Sequence, residues 1–186
     1  MRIIAGRHKG RPIRVPRDGV RPTGARAREA LFGILEHGID WPGFEGAHVI
    51  DAFAGTGACG LEALSRGAAL ATFLDVDQAA LLAIRRNAAA MGEARTIVPL
   101  HLDATRLPPP PLAAGAPCAL AFLDPPYDSG LATPALQGLA TRHWLASGSI
   151  ATVEVAAREP LVTPPGFLIL DERVYGAARI VFLRLD

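Results

Sequence analysis

From residue 47 to the carboxyl end, short strand-forming runs alternate with segments of helical period, and this alternation constrains the fold more than any other feature. Residues 47–51, 70–75, 95–100, 118–124 and 149–155 read as strands. Residues 58–66, 78–91 and 131–139 read as helices between them. A strand that returns parallel to its predecessor needs a long crossover, and a helix of this length supplies it. Residues 167–172 and 179–185 flank a turn at Gly176, which adds one antiparallel pair. The predicted fold class is α/β, a doubly wound, Rossmann-like sheet in one domain, which 186 residues suffice to build.

The first residues differ in character. Residues 1–28 hold eight arginines and Lys9 against Asp18, a charge of +8, and the remainder carries −7. A basic arm on an acidic body points to a polyanionic partner, because clustered Arg and Lys neutralise phosphates and release counterions. The competing reading is a solvated tail. Residues 2–4 and 11–15 are expected to pair as a β-hairpin around Gly6–Gly10. We divide the chain into an arm, residues 1–23, and a domain, residues 24–186. Thr23 is placed to cap a helix running to about residue 36. Arg7, Lys9, Arg11, Arg14, Arg21, Arg26 and Arg28 are the candidate nucleic-acid contacts.

Other classes lack support. No apolar run approaches the ~20 residues that cross a bilayer, and the basic start has no apolar signal segment. Cys59 and Cys118 lie in apolar stretches, as buried free thiols of a cytoplasmic protein would. The five histidines show no ligand spacing, so no metal site is expected.

Two motifs carry chemistry. Asp51-Ala52-Phe53-Ala54-Gly55-Thr56-Gly57 follows a strand, opens a helix and continues to Gly60. Such glycines allow a sharp turn and close approach of backbone to a ligand. Asp75 and Asp77 come about twenty residues later, where a carboxylate accepts from ribose hydroxyls, and either could serve. Asp51 just ahead of the glycines would repel a pyrophosphate but can receive an ammonium. That favours S-adenosylmethionine over a dinucleotide. Asp103 is placed to accept from an adenine amino group, although an ordinary loop aspartate would look the same.

The second motif is Asp124-Pro125-Pro126-Tyr127, directly after a strand. Ligands of open α/β sheets bind at the carboxyl ends of strands, so this segment should face the glycine loop. An exocyclic amino group on a base is a poor nucleophile, because its lone pair is delocalised into the ring. The Asp124 carboxylate and Pro125 carbonyl can each accept one N–H and aim that lone pair at a methyl donor. Pro126 stiffens the turn, and Tyr127 offers a face for an extruded base.

With these residues the chain resembles the RsmD family of bacterial small-subunit ribosomal RNA guanine-N2 methyltransferases. The likeness runs through Arg2-Ile-Ile-Ala-Gly6, Gly10-Arg11, Arg21-Pro22-Thr23, Arg26-Ala-Arg28-Glu29-Ala-Leu31-Phe32, the glycine loop to Arg66, and Asp124 to Tyr127. It implies a seven-stranded methyltransferase sheet, S-adenosylmethionine as cofactor, and one guanine of 16S ribosomal RNA as target. The partner is then that RNA or the assembling small subunit, met by a monomer. Asp75 departs from a common glutamate, and Tyr127 stands where phenylalanine also occurs. The rivals are a DNA adenine-N6 or cytosine-N4 methyltransferase, a protein glutamine methylase, a nicotinamide-dependent oxidoreductase and a silent RNA-binding assembly factor.

Overall fold

A computed structural model describes residues 1–15 and 25–186. The expected boundary at residue 23, the Thr23 cap and Arg21 lie outside the described residues. The elements are α1 (Ala25–His37), β1 (His48–Asp51), α2 (Ala58–Ser65), β2 (Leu70–Asp75), α3 (Gln78–Met91), β3 (Ile97–His101), β4 (Cys118–Leu123), α4 (Ala132–Thr141), β5 (Leu145–Ala156), β6 (Phe167–Tyr175) and β7 (Ala178–Leu185). They form one seven-stranded sheet in the order β3-β2-β1-β4-β5-β7-β6. β1 to β5 are parallel, and β7 runs antiparallel between β5 and β6. Strand order reverses between β1 and β4, and that switch point opens a crevice above their carboxyl ends.

Both faces of the sheet are covered, as a doubly wound fold requires. Along β4, Leu120 and Phe122 point into a core shared with α1, α2 and α3, while Ala121 and Leu123 enter a second core beneath α4. β7 alternates in the same way, with Ile180 and Phe182 on one side and Val181 and Leu183 on the other. The period of two therefore assigns each strand residue to a face.

Several boundaries move for local reasons. β3 begins at Ile97 because Glu93 and Thr96 are held in a turn after α3, with the Thr96 N–H donating to the Glu93 carbonyl at 3.1 Å. β5 begins early, at Leu145, with Gly148 at φ 83° and a register shift against β4 between Cys118 and Leu120. The two segments expected to form the hairpin do pair, through a single bridge between Arg2 and Pro12 flanked by hydrogen bonds from Ile3 N–H to the Arg11 carbonyl at 2.9 Å and from Ile13 N–H to the Met1 carbonyl at 3.0 Å. Beyond the bridge, Arg14 turns its backbone N–H and carbonyl to Asn87 of α3 instead of to the partner segment.

The arm is bolted to the domain. Ile3 and Ile13 are buried in the first core. Glu62 of α2, fully buried, accepts the N–H groups of Ile4 at 2.7 Å and Ala5 at 3.0 Å while pairing with Arg66 at 2.9 Å. Asn87 of α3 exchanges two hydrogen bonds with the Arg14 backbone. Removing Glu62 strands two arm N–H groups and half of the Arg66 pairing. Glu62→Ala should therefore cost roughly 3–5 kcal/mol in urea unfolding. It should also admit trypsin at Arg7 and Lys9 under native conditions. Stability within about 0.5 kcal/mol of the parent would show that the arm is not held there.

Candidate active site

Above the switch point lies a cavity of about 1350 Å³. Its floor comes from the glycine loop after β1, its sides from the ends of β2 and β4, and one wall from the β6–β7 turn at Val174–Ala178. Asp51, Ala52, Phe53, Gly55, Asp75, Asp103, Asp124, Pro125, Pro126 and Tyr127 all line it. Residues separated by up to 76 positions in the chain therefore meet in one space.

The glycine loop is shaped by two close approaches. Gly57, at φ 76°, starts α2 in a left-handed conformation and sits behind the lining rather than in it. A β-carbon on Gly60 would lie 2.3 Å from the Phe73 ring, so only glycine lets α2 settle on β2. This seating brings the Gly60 N–H within 3.0 Å of an Asp51 carboxylate oxygen. Asp51 is 3% exposed. Burial outweighs the Gly60 hydrogen bond and, with Asp124 and Asp75 adding repulsion, pushes its carboxyl up to about 8. A cationic ligand would reverse that imbalance.

Asp75 and Asp77 separate cleanly in space. Asp75 lines the cavity and accepts N–H groups from Gly55 at 2.7 Å and from Asp77 at 2.8 Å. Asp77 instead caps α3, accepting from the Ala79 N–H at 2.8 Å, and is not part of the lining. Asp103 lies at the rim, where hydrogen bonds from the Thr105 hydroxyl and N–H hold its carboxyl below the usual range.

Asp124 to Tyr127 leave β4 beside β5. Pro125 is buried and Pro126 exposed. The Asp128 N–H donates to Glu159 at 2.8 Å, which pins the end of the segment. The Tyr127 hydroxyl donates to Glu154 at 2.8 Å. Glu154 is 5% exposed and lines the same cavity. Burial, then Asp124, pushes its carboxyl up to about 7 against the Tyr127 hydrogen bond.

The basic candidates divide into two groups. Arg26 and Arg28 line the cavity. Arg28 is buried, donates to the Arg2 carbonyl at 2.8 Å, and keeps Nε and Nη1 without a hydrogen-bond partner. Arg7, Lys9, Arg11 and Arg14 lie on the outside, away from the cavity lining. Arg7 pairs with Glu93 at 2.9 Å, and Arg11 donates to the Ala90 carbonyl at 2.9 Å.

Sequence reasoning missed Glu154 and the place of the β6–β7 turn in the cavity wall. Glu154 had a signal, an acid inside an otherwise apolar strand. The turn had none, since its place over the site depends on the antiparallel return of β7.

A glycine loop, a cavity-lining acid at the end of β2 and Asp-Pro-Pro-Tyr meet at one switch point, as in Rossmann-like methyltransferases. Residues 1–184 match the family model described as conserved hypothetical protein 95. The chain belongs to that family. It is 34% identical to ribosomal RNA small subunit methyltransferase D of Haemophilus influenzae, across 95% of this chain and 89% of that one. A solved structure of a provisionally assigned methyltransferase from Escherichia coli superposes with a TM-score of 0.84 at 32% identity, covering 100% of this chain and 98% of its own. An RNA methyltransferase from Salinibacter ruber, in complex with S-adenosyl-L-homocysteine, shares the fold with a TM-score of 0.65 at 11% identity, over 89% of this chain and 94% of its own.

The raised Asp51 carboxyl has a consequence for stability. Asp51 holds its proton more tightly folded than unfolded, so its contribution is complete below about pH 4 and lost as pH rises toward about 8. The ligand-free protein should lose melting temperature across that window. Asp51→Asn should flatten the loss and melt at least ~3 °C above the parent at pH 8, one kcal/mol being worth about 2–4 °C at this size. A variant that melts below the parent at pH 8 would contradict this electrostatic reading.

Proposed function

We propose that this protein transfers the methyl group of S-adenosylmethionine to the exocyclic N2 of one guanine in small-subunit ribosomal RNA, acting in the cytoplasm as a monomer. One juxtaposition carries the reading: the Asp124–Pro125 acceptors share a cavity with Asp51, Asp75 and the glycine loop. The named relatives support the ribosomal RNA of the small subunit as the substrate class.

The residues fit the cofactor. Asp51, buried among other acids, is matched by a cation, and the cofactor carries both an ammonium and a sulfonium. Asp75, already oriented by two backbone N–H groups, has lone pairs for the ribose hydroxyls. Asp103 at the rim is held ionised and suits the adenine amino group. When bound, S-adenosylmethionine supplies an electrophilic methyl carbon, so the protein's part is alignment and charge placement.

Asp124 and the Pro125 carbonyl each accept one N–H of the guanine amino group. Their pull draws the nitrogen toward tetrahedral geometry and points its lone pair into the cavity. S-adenosylmethionine held beside that nitrogen would supply the methyl carbon, its sulfur keeping the electron pair of the broken C–S bond. The surplus proton leaves the nitrogen along its hydrogen bond to Asp124. Pro126 withdraws a competing N–H, and Tyr127 presents its ring to the extruded base. The exposed guanidinium of Arg26 faces the RNA as it enters, and buried Arg28 behind it adds positive charge to the same cavity wall. Arg7, Lys9, Arg11 and Arg14 extend that basic surface along the backbone.

Asp124→Ala separates binding from chemistry. Cofactor affinity by calorimetry should stay within a few-fold, while single-turnover methylation of unmodified small-subunit RNA should fall at least about a hundredfold. Methylation within a few-fold of the parent would remove Asp124 from the reaction.

A further inference from the structure

The proposed chemistry uses Asp124 and Pro125 on the amino group and leaves Glu154 without a task. Yet Glu154 is a buried carboxyl lining the reaction cavity, and its place is fixed from two sides. β4 and β5 pair in parallel with Leu123 opposite Val153, so Asp124 and Glu154 take the next step side by side, strands in such a sheet being about 4.8 Å apart. The Tyr127 hydroxyl donates to Oε1 of Glu154 at 2.8 Å and fixes the carboxyl's orientation. Both acids also line a narrow cleft that continues the cavity between α1 and β4.

Two acceptors set side by side select a base. Adenine and cytosine carry an amino group next to a ring nitrogen that is an acceptor. Uracil carries a ring N–H but no amino group. Of the four RNA bases, guanine alone places a ring N–H beside an exocyclic amino group. We propose that Glu154 selects guanine, accepting its N1–H while Asp124 and Pro125 hold the adjacent amino group. This inference rests on the guanine-N2 reading above and names the residue that enforces it.

Burial and Asp124 disfavour an unmatched charge at Glu154, so the site is costly unless a donor stands opposite. Guanine supplies that donor. Above about pH 7, where Glu154 is ionised, adenine would set its N1 lone pair against a carboxylate, and sites built around a buried polar group reject the mismatched analogue strongly. Tyr127 thereby gains a second part as a positioning residue: its hydroxyl holds the selecting carboxyl while its ring faces the base.

The test exchanges the donor and acceptor on both partners. The target guanine is replaced by 2-aminopurine, which keeps the 2-amino group but has an N1 lone pair in place of N1–H. The parent protein should methylate this RNA at least about a hundredfold less efficiently in kcat/KM than the guanine RNA. Glu154→Gln keeps an oxygen for the Tyr127 hydroxyl and turns an amide N–H toward the base. It should lose activity on guanine, gain on 2-aminopurine, and so shift the ratio by at least about a hundredfold, with cofactor affinity unchanged by calorimetry. Equal losses on both RNAs would make Glu154 merely structural and overturn the proposal. If Glu154→Gln fails to fold, the parent's own discrimination decides: comparable rates on the two RNAs overturn it. A parent protein that methylates adenine or cytosine but not guanine overturns the guanine-N2 reading itself, a result distinct from the loss of Glu154 selectivity.

Discussion

The structure depends on a carboxylate that the fold leaves almost entirely buried at the floor of the cavity. Asp51 ends β1 at the sheet's switch point, 3% exposed, with Asp75 and Asp124 close enough to raise its proton affinity further. Its one described hydrogen bond, from the Gly60 N–H, requires α2 to begin against β2, and that requires no side chain at Gly60. The glycine loop is therefore a device for holding an acid in a poor environment as much as a cradle for a ligand. Such an arrangement is stable only weakly without a cation and strongly with one. A buried acid cluster that sacrifices stability of the empty protein is the kind of local conflict expected at a binding site.

The basic arm and the catalytic cavity are one physical unit. Arg28 reaches from α1 to the Arg2 carbonyl, so a cavity-lining side chain also fastens the arm. Glu62, on the helix that the glycine loop opens, accepts the next two arm N–H groups. Movement of the arm would therefore be felt at the start of α2, where Asp51 is held. Arg7 and Arg11 spend part of their hydrogen-bonding capacity on Glu93 and Ala90, which fixes the spacing of the basic surface rather than leaving it a loose tail.

Much of this was legible in the residues, and the limits have physical causes. β2 and α3 ran over the residues expected, because Leu70–Asp75 is a short apolar run and α3 has Asp77 and Gly92 as caps at its two ends. Asp124 to Tyr127 and the glycine loop could be placed on one cavity because strand ends converge at a switch point whatever lies between them. The choice between Asp75 and Asp77 was not legible: both follow the strand, and only the start of α3 turns Asp77 into a cap. The arm's hairpin came out as a single bridge, since β-propensity does not register that Asn87 takes up the Arg14 backbone groups. Glu154 went unnoticed because its importance lies in parallel register with Asp124, a contact between strands rather than along one.

The central claim concerns one atom on one base. Small ribosomal subunits from cells lacking this protein, incubated with it and methyl-labelled S-adenosylmethionine, should gain the label in N2-methylguanosine when their RNA is digested and its nucleosides are resolved by mass. The label should saturate near one methyl per particle. Label appearing in N6-methyladenosine or N4-methylcytidine, or no transfer to RNA at all, would contradict the account.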